Sequence, residues 1–186
     1  MFGLGISMFI ASELGLAPWD VFHQGVSRLT GISIGLIIEL AGLMILVLWI
    51  PHRIRPGIGT VLNAIEIGLV VYLMDDRLPT SDHVVVRIAY MLGALASVAI
   101  GSGLYIGAGL GSGPRDGLML GLGQRGISIR VARTVIEVTV LIAGVLLGGS
   151  IGVGTVAFTL GIGPLVQFFL PRLRVRDDCA TPATTH

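Results

Sequence analysis

Charged side chains inside apolar stretches are the residues of this sequence that could do chemistry. Arg130, Arg133 and Glu137 fall in one such stretch and share a face of a helix. Arg133 and Glu137 are four residues apart, so they can pair with each other and fix helix packing. Alternatively, the two arginines attract an anionic substrate, since guanidinium groups bind carboxylates and phosphates. The residue types leave both interpretations open.

Two further apolar stretches carry acidic or amide side chains. Glu39 lies between Gly35 and Gly42, and we interpret it either as an ion or proton carrier or as a carboxylate paired with an arginine. Asn63 and Glu66, three residues apart, predict either a polar binding patch or interhelical hydrogen bonds. If the acids and arginines of all these stretches face one interior, acids are in excess, which favours proton coupling.

A short motif with proline and aspartate occurs twice, in GLAPWDVFHQG and in GSGPRDGLMLG. Its corresponding residues are Pro18, Trp19 and Asp20, then Pro114, Arg115 and Asp116. Proline at the first helical position, followed by an acid in the first turn, indicates a helix start. One interpretation is an interfacial helix with Trp19 at the lipid boundary and Asp20 and His23 in water. The other is a re-entrant helix in each repeat, so that both starts face a central cavity.

Other blocks repeat in the same order and at nearly the same separation. TGISIG is followed later by RGISIR, and PGIGTV by IGVGTV. The second pair contains a GxGT element in each half: Gly57, Gly59 and Thr60, then Gly152, Gly154 and Thr155. Its backbone N–H groups could bind an anion, or its glycines could allow close helix contact. Together the blocks indicate a duplication, with repeat 1 at about 1–75 and repeat 2 at about 84–170.

The composition indicates the class of protein. Hydrophobic residues make up 53% of the chain and charged residues 12%, with a mean hydropathy of +0.91. A soluble domain carries about a quarter charged residues, so this composition predicts an integral membrane protein. The sequence has no basic stripe outside the apolar segments, and its histidines are scattered. We therefore expect no nucleic-acid binding, no metal, no cofactor and no enzymatic activity.

Six apolar segments are long enough, or nearly so, to span a bilayer, which takes about 20 residues. They cover 1–16, 32–50, 58–74, 88–110, 129–148 and 151–170. Each repeat then holds three spans, and an odd number of spans inverts the second copy. We predict an all-α membrane protein with six transmembrane spans as two inverted-topology three-span repeats, each with a short Pro-started interfacial or re-entrant helix. Residues 1–170 form one membrane domain, and 171–186 form a polar, disordered cytoplasmic tail.

The arginines predict the orientation, because loops rich in basic residues stay in the cytoplasm. The 51–57 loop, the 111–128 connection and the 171–186 tail contain more arginine than the loops on the other side. Both termini are therefore expected on the cytoplasmic side of a bacterial plasma (inner) membrane. The first span is shorter than its counterpart in repeat 2, so we also expect the natural start to lie upstream of Met1.

Several of these elements resemble one bacterial family. The YczE/YitT-type membrane proteins contain stretches similar to LGLAPWDVFHQGVSRLTGISIG, PGIGTVLNAIEIG, GLGSGPRDGLMLGL and RGISIRVARTVIEVTVLIAGVLLGGSIGVGT. The resemblance covers nearly the whole chain to about residue 170, and the short first span is its one departure. It implies a multi-span plasma-membrane protein without an established biochemical activity, for which a transport role is often supposed.

These features together predict a small-solute transporter or permease with a polar site between inverted repeats. One alternative is a membrane-embedded binding subunit of a larger transport complex. Another is a non-transporting scaffold or assembly factor. The expected partners are the lipid bilayer and an unidentified small solute, while proton coupling and homo-oligomer formation stay open.

Overall fold

The computed structural model describes residues 1–52, 56–74, 77–108, 113–123, 126 and 128–173. Within these ranges the chain forms the α-helices α1 Phe2–Ser12, α2 Pro18–Thr30, α3 Ile34–Trp49, α4 Ile58–Met74, α5 Val84–Gly107, α6 Pro114–Gly123, α7 Ile129–Leu146 and α8 Val153–Leu173. The short 3-10 helix Ile50–His52 follows α3. The predictions of an all-helical chain and of a short helix beginning at each repeated proline are confirmed. Most of the predicted tail, from residue 174 onwards, lies outside the described residues.

The described helices give two to three candidate membrane spans. By length and composition, α5 and α8 can each cross a membrane, and a third span results if α2 and α3 count as one span bent by 117°. The apolar helices α1 and α4 are shorter, and α7 carries two arginines and a glutamate within its 18 residues. The six-span arrangement of inverted repeats stays a prediction.

The outer surface of the helix bundle is largely apolar. Ile58 is 82% exposed, Leu146 is 81% exposed and Leu160 is 72% exposed. Large apolar patches on a protein surface mark contact with a membrane or another protein. The outside of this bundle therefore suits the interior of a lipid bilayer.

The two short helices pack across the halves of the chain. α2 packs against α3, which follows it in sequence, and against α7 of the second half. Correspondingly, α6 packs against α7, which follows it, and against α3 of the first half. Further contacts join α1 to α4 and α5, α5 to α8, α3 to α4, and α4 to α6. Each short helix is thus enclosed by helices from both halves.

Glycines permit the closest of these helix contacts. A Cβ atom at Gly68 of α4 would lie 2.6 Å from the Cβ atom of Glu39 and from the carbonyl oxygen of Gly35, both in α3. A Cβ atom at Gly144 of α7 would lie 2.5 Å from the backbone nitrogen of Phe22 in α2. Small residues let the backbones of membrane helices approach closely. These glycines therefore position α4 against α3 and α2 against α7.

Arginines tie α2 and the loop before it to neighbouring helices. Arg87 in the first turn of α5 donates hydrogen bonds to the carbonyl oxygens of Ser12 and Glu13, each over 2.8 Å. Arg28 near the end of α2 donates to the carbonyl oxygen of Gly148 over 2.5 Å. Because hydrogen bonds from charged donors are strong, these contacts hold the end of α1 and the end of α2 in place.

The apolar core anchors the start of α2. Phe9, Leu16, Val21 and Leu95 are buried together in one cluster. The ring of Phe158 in α8 lies edge-on to that of Phe9, with 5.7 Å between the ring centroids. An edge-on arrangement is favourable for aromatic pairs. The core thereby fixes the position from which the first Pro–x–Asp motif projects.

Candidate functional site

A cavity of about 470 Å³ lies inside the helix bundle. Every helix from α1 to α8 contributes to its lining, and the starts of α2 and α6 both face it. Much of the wall is apolar, as at Phe9, Ile38 and Phe158. Small-molecule sites have this size and this mainly apolar character, with a few polar groups that orient the ligand.

The two copies of the Pro–x–Asp motif meet at this cavity. The Nη2 atom of Arg115 in α6 lies 3.6 Å from the Oδ1 atom of Asp20 in α2. The guanidinium of Arg115 also lies over the ring of Trp19, 4.9 Å from its centroid. His23 Nδ1 is 3.3 Å from the same Asp20 oxygen. We call Trp19, Asp20, His23 and Arg115 the motif cluster; it joins the first repeat to the second.

The local sequence explains why Asp20 lies at this point. Ala17 is extended and Pro18 occupies the first turn of α2, as the motif predicts. The N–H groups of Asp20 and Val21 donate to the carbonyl oxygen of Ala17 over 2.8 and 2.9 Å. A carboxylate in the first turn is favoured by the positive end of the helix dipole. The helix start therefore places the charge of Asp20 at the cavity.

The expectation that Asp20 and His23 of α2 lie in water is wrong. Asp20 is 2% exposed and His23 is 1% exposed, whereas the apolar Leu29 is 70% exposed. Trp19 lines the cavity and contacts Arg115. The physical reason is that α3 and α7 pack around α2, so Asp20 and His23 face the interior.

Three buried polar atoms at the cavity have no hydrogen-bond partner among the described residues. They are Trp19 Nε1, His23 Nε2 and the hydroxyl oxygen of Tyr105, and all three residues line the cavity. Buried polar atoms are nearly always hydrogen-bonded, because leaving one unpaired costs free energy. Because their residues line the cavity, a polar ligand or ordered water there could supply the missing partners.

Arg133 and Glu137 form the helical ion pair that their spacing predicts. The Nε atom of Arg133 donates to the Oε1 atom of Glu137 over 3.0 Å. The side chain of Arg133 is 55% exposed and that of Glu137 is 29% exposed. Both residues line the cavity, so they keep surface through which a ligand could contact them. The side chains of Arg130 and Asp116 lie outside the described part.

Of the other predicted deep polar groups, only Asn63 shares this cavity, whereas Glu39 and Glu66 do not. Glu66, on the same helix as Asn63, has a 56% exposed side chain that lies 3.9 Å from the amino group of Met1. Glu39 packs against Gly68, and it forms no ion pair with any residue of the described ranges. The premise that these acids and arginines face one interior is therefore wrong, and the excess of acids does not apply to this cavity.

The GxGT elements make packing contacts away from the cavity. Gly154 N donates to the carbonyl oxygen of Leu14 over 2.7 Å, and Gly152 N donates to Thr155 Oγ1 over 3.2 Å. In the first half, Gly57 accepts the N–H of Thr60 over 3.0 Å, and Gly59 and Thr60 are buried. N–H groups already bonded to the protein are poorly placed to bind an anion. The contacts of Gly152 and Gly154 correspond to the packing interpretation, and for Gly57 and Gly59 both interpretations stay predictions.

Comparison with known proteins identifies the family. The model of a family of unknown function, DUF6198, matches residues 1–171. The chain belongs to the DUF6198 family. A relative of this DUF6198 protein is an uncharacterized protein of Haemophilus influenzae, which is 39% identical over 169 residues, covering 90% of this chain and 78% of the relative.

Two Bacillus subtilis proteins are also similar to the DUF6198 chain. The uncharacterized membrane protein YczE is 33% identical over 172 residues, covering 90% of this chain and 80% of YczE. The uncharacterized protein YyaS is 28% identical over 176 residues, covering 90% of this chain and 86% of YyaS. No solved structure matches the DUF6198 chain. The YczE-type resemblance is confirmed, and together with its apolar helices it makes this a membrane protein.

Sequence reasoning missed several polar residues of the DUF6198 cavity. Ser102, Tyr105 and Gln167 line it but were not predicted as site residues. A signal was present, because Ser102 and Tyr105 are three residues apart in one apolar helix, as Asn63 and Glu66 are. Gln167 is likewise a lone amide in the apolar run of α8. No group of three or more potential metal-ligating side chains occurs in the described ranges.

Proposed function

We propose that this protein is a small-solute transporter of the bacterial plasma membrane, with the cavity as its substrate site. The observation that carries the proposal is a cavity with unpartnered buried polar atoms inside a bundle with an apolar exterior. Polar and ionisable groups at membrane depth are costly and mark substrate or ion pathways. The cavity volume of about 470 Å³ also lies in the usual range for small-molecule sites.

The arrangement of the short helices supports an inverted repeat. α2 packs against α3, which follows it, and against α7 of the other half; α6 packs against α7, which follows it, and against α3 of the other half. The two short helices therefore have equivalent neighbours in the two repeats. Transporters built from inverted repeats bind substrate where the halves meet, and move one half against the other to alternate access. We propose six spans with α2 and α6 as re-entrant helices that enter from opposite faces and meet at Asp20 and Arg115.

The proposed reaction is movement of a solute without a chemical change. Among the described lining residues, Ser102 is the only serine, and its hydroxyl donates to the carbonyl oxygen of Val98 over 2.8 Å. A serine nucleophile would instead require a hydrogen bond to a general base. This supports a binding role for the polar lining residues.

The proposed orientation places both termini in the cytoplasm, and the single cysteine of the chain, Cys179, can test it. In intact cells we expect a membrane-impermeant maleimide to leave Cys179 unlabelled. After the membrane is permeabilised, we expect full labelling. Equal labelling in intact cells would place the C-terminus outside and contradict the orientation.

Transport is tested with purified protein in reconstituted vesicles. A thermal-shift screen of metabolites first identifies a stabilising solute, since a ligand of the folded state raises its melting temperature. Uptake of that solute is then measured for wild type, Asp20→Asn and Arg133→Gln. Asp82→Asn and Arg172→Gln are matched controls, because Asp82 and Arg172 lie outside the cavity lining and are exposed.

We expect vesicles with wild-type protein to accumulate the solute at least ten times faster than empty vesicles. Asp20→Asn and Arg133→Gln should each lower uptake about tenfold or more, because each removes a charged group from the site, while the two controls should retain it. Binding without uptake would favour a binding subunit of a larger complex. Equal uptake by all variants would contradict the proposed site.

A further inference from the structure

The charges of the arginines and acids in the described cavity lining balance. This lining carries two cations and two anions, joined as Asp20 with Arg115 over 3.6 Å and as Glu137 with Arg133 over 3.0 Å. A ligand with a net charge would bring an uncompensated charge into an apolar surrounding, which is unfavourable. A ligand whose own charges cancel avoids this cost. The balance therefore favours a solute with no net charge.

The motif cluster offers a hydrogen-bond donor and an acceptor close together. The indole N–H of Trp19 is a donor only, and it has no partner among the described residues. His23 Nδ1 faces the Asp20 carboxylate, an acceptor, so we assign the proton to Nδ1, which leaves Nε2 as an acceptor when the ring is neutral. The Trp19 and His23 rings lie 6.2 Å apart between centroids. The side chains that carry the free donor and the free acceptor are therefore neighbours.

The charged groups of the motif cluster are arranged in the same way, with a cation beside the free donor and an anion beside the free acceptor. Arg115 lies over Trp19, and its side chain is 33% exposed, so its guanidinium retains donors for a carboxylate. Asp20 lies beside His23 and accepts hydrogen bonds. A cation and an anion thus accompany the free donor and the free acceptor. A carboxylate suits Trp19 and Arg115, and an ammonium suits Asp20 and His23.

From this arrangement of a cation with a donor and an anion with an acceptor, we propose that the cavity binds a small zwitterion of the α-amino-acid class with an apolar side chain. The inference rests on the proposed function of the cavity as a solute site. An α-amino acid carries its carboxylate and its ammonium on one carbon, which matches adjacent donor and acceptor groups. The rest of the solute contacts the apolar wall, where Phe9, Ile38 and Phe158 lie. Burial of apolar surface on that wall is favourable.

A charge-matched series of compounds tests the solute class. L-phenylalanine is the zwitterion, L-phenylalaninamide keeps only the positive charge, and 3-phenylpropanoate keeps only the negative charge. L-leucine, L-leucinamide and 4-methylpentanoate form a second series. Binding of each compound to the purified full-length protein is measured by calorimetry in detergent micelles. We expect at least one zwitterion to bind about tenfold or more tightly than both of its singly charged analogues.

Conservative variants test the site without removing a buried charge. Trp19→Phe deletes the indole N–H but keeps an aromatic ring under Arg115, and it should weaken zwitterion binding about tenfold. Tyr105→Phe deletes the other unpartnered donor and should weaken binding by a smaller factor. Tyr72→Phe is the matched control, because Tyr72 is 58% exposed and lies outside the cavity lining. It should leave affinity unchanged.

The outcomes separate this inference from the transport proposal. Tighter binding of either singly charged analogue, or no binding of either zwitterion, would overturn the zwitterion assignment. Undiminished zwitterion binding in Trp19→Phe would overturn its location at the motif cluster. Zwitterion binding without uptake into vesicles would leave the assignment standing and contradict transport. Uptake of a solute of another charge class would support transport and contradict the zwitterion assignment.

Discussion

The contact between Asp20 and Arg115 permits a quantitative test. The Asp20 side chain is 3% exposed and the Arg115 side chain is 33% exposed. Removing one partner of a fully buried ion pair costs about 3–5 kcal/mol, because the other charge is left unpaired. Partial exposure of Arg115 weakens the pair through solvent screening. We expect Arg115→Gln to lower the free energy of unfolding by about 2–3 kcal/mol.

Substitution of the other partner, Asp20, should lower the free energy of unfolding by a smaller amount. Asp20→Asn keeps the shape of the side chain, and it leaves an arginine that still lies over Trp19 and has access to solvent. We expect a loss of about 1–2 kcal/mol. In the double variant neither charge is left unpaired, so the combined loss should fall short of the sum by about 1–2 kcal/mol. For a chain of this size, that shortfall corresponds to about 2–8 °C in Tm.

Thermal unfolding of the wild type, the two single variants and the double variant in detergent measures this coupling. The control is the same cycle at Arg133 and Glu137, a pair within one helix whose arginine is 55% exposed. Exposed pairs of this kind couple by about 0.5 kcal/mol or less. Additive losses for Asp20 and Arg115, or a coupling no larger than the control, would refute the contact between the two motifs.

Two further predictions concern packing and the limits of the site. Gly68→Ala should lower the free energy of unfolding by about 1–3 kcal/mol, because its Cβ atom would overlap α3. A Cβ atom at Gly161 would have nothing within 4 Å, so Gly161→Ala should leave the free energy of unfolding unchanged or raise it by up to about 1 kcal/mol. Similar melting temperatures for the two variants would contradict the α3–α4 contact. Glu66→Gln should leave vesicle uptake unchanged, because Glu66 lies outside the cavity lining. A loss of uptake would contradict this and show that Glu66 contributes to the site.

Features that depend on neighbouring residues were predictable from the sequence. The starts of α2 and α6 follow from proline at the first helical position, and both begin where predicted, at Pro18 and Pro114. The pairing of Arg133 with Glu137 follows from their spacing within one helix. Such features need only the helix geometry, which a local pattern determines.

Features that depend on tertiary packing were not predictable. Asp20 and Arg115 belong to opposite halves of the sequence, and their contact requires both short helices to be enclosed by α3 and α7. The same enclosure buries Asp20, which was expected to lie in water. Asn63 and Glu66 point about 60° apart around their helix, so one lines the cavity and the other does not.

Chemical modification inside the cavity tests the central claim, that the solute passes through it, most directly. Ser102→Cys is made together with Cys179→Ser, so that the only thiol lies in the cavity lining. Leu146→Cys in the same background is the control on the outer surface, where Leu146 is 81% exposed. Benzyl methanethiosulfonate is then reacted with each variant, and mass spectrometry confirms its attachment before uptake of the stabilising solute is measured.

We predict that attachment at the Ser102→Cys position abolishes uptake, because the added benzyl group occupies the cavity. Attachment at the Leu146→Cys position should leave uptake unchanged. Full attachment at the Ser102→Cys position with undiminished uptake would contradict the claim that the solute passes through this cavity.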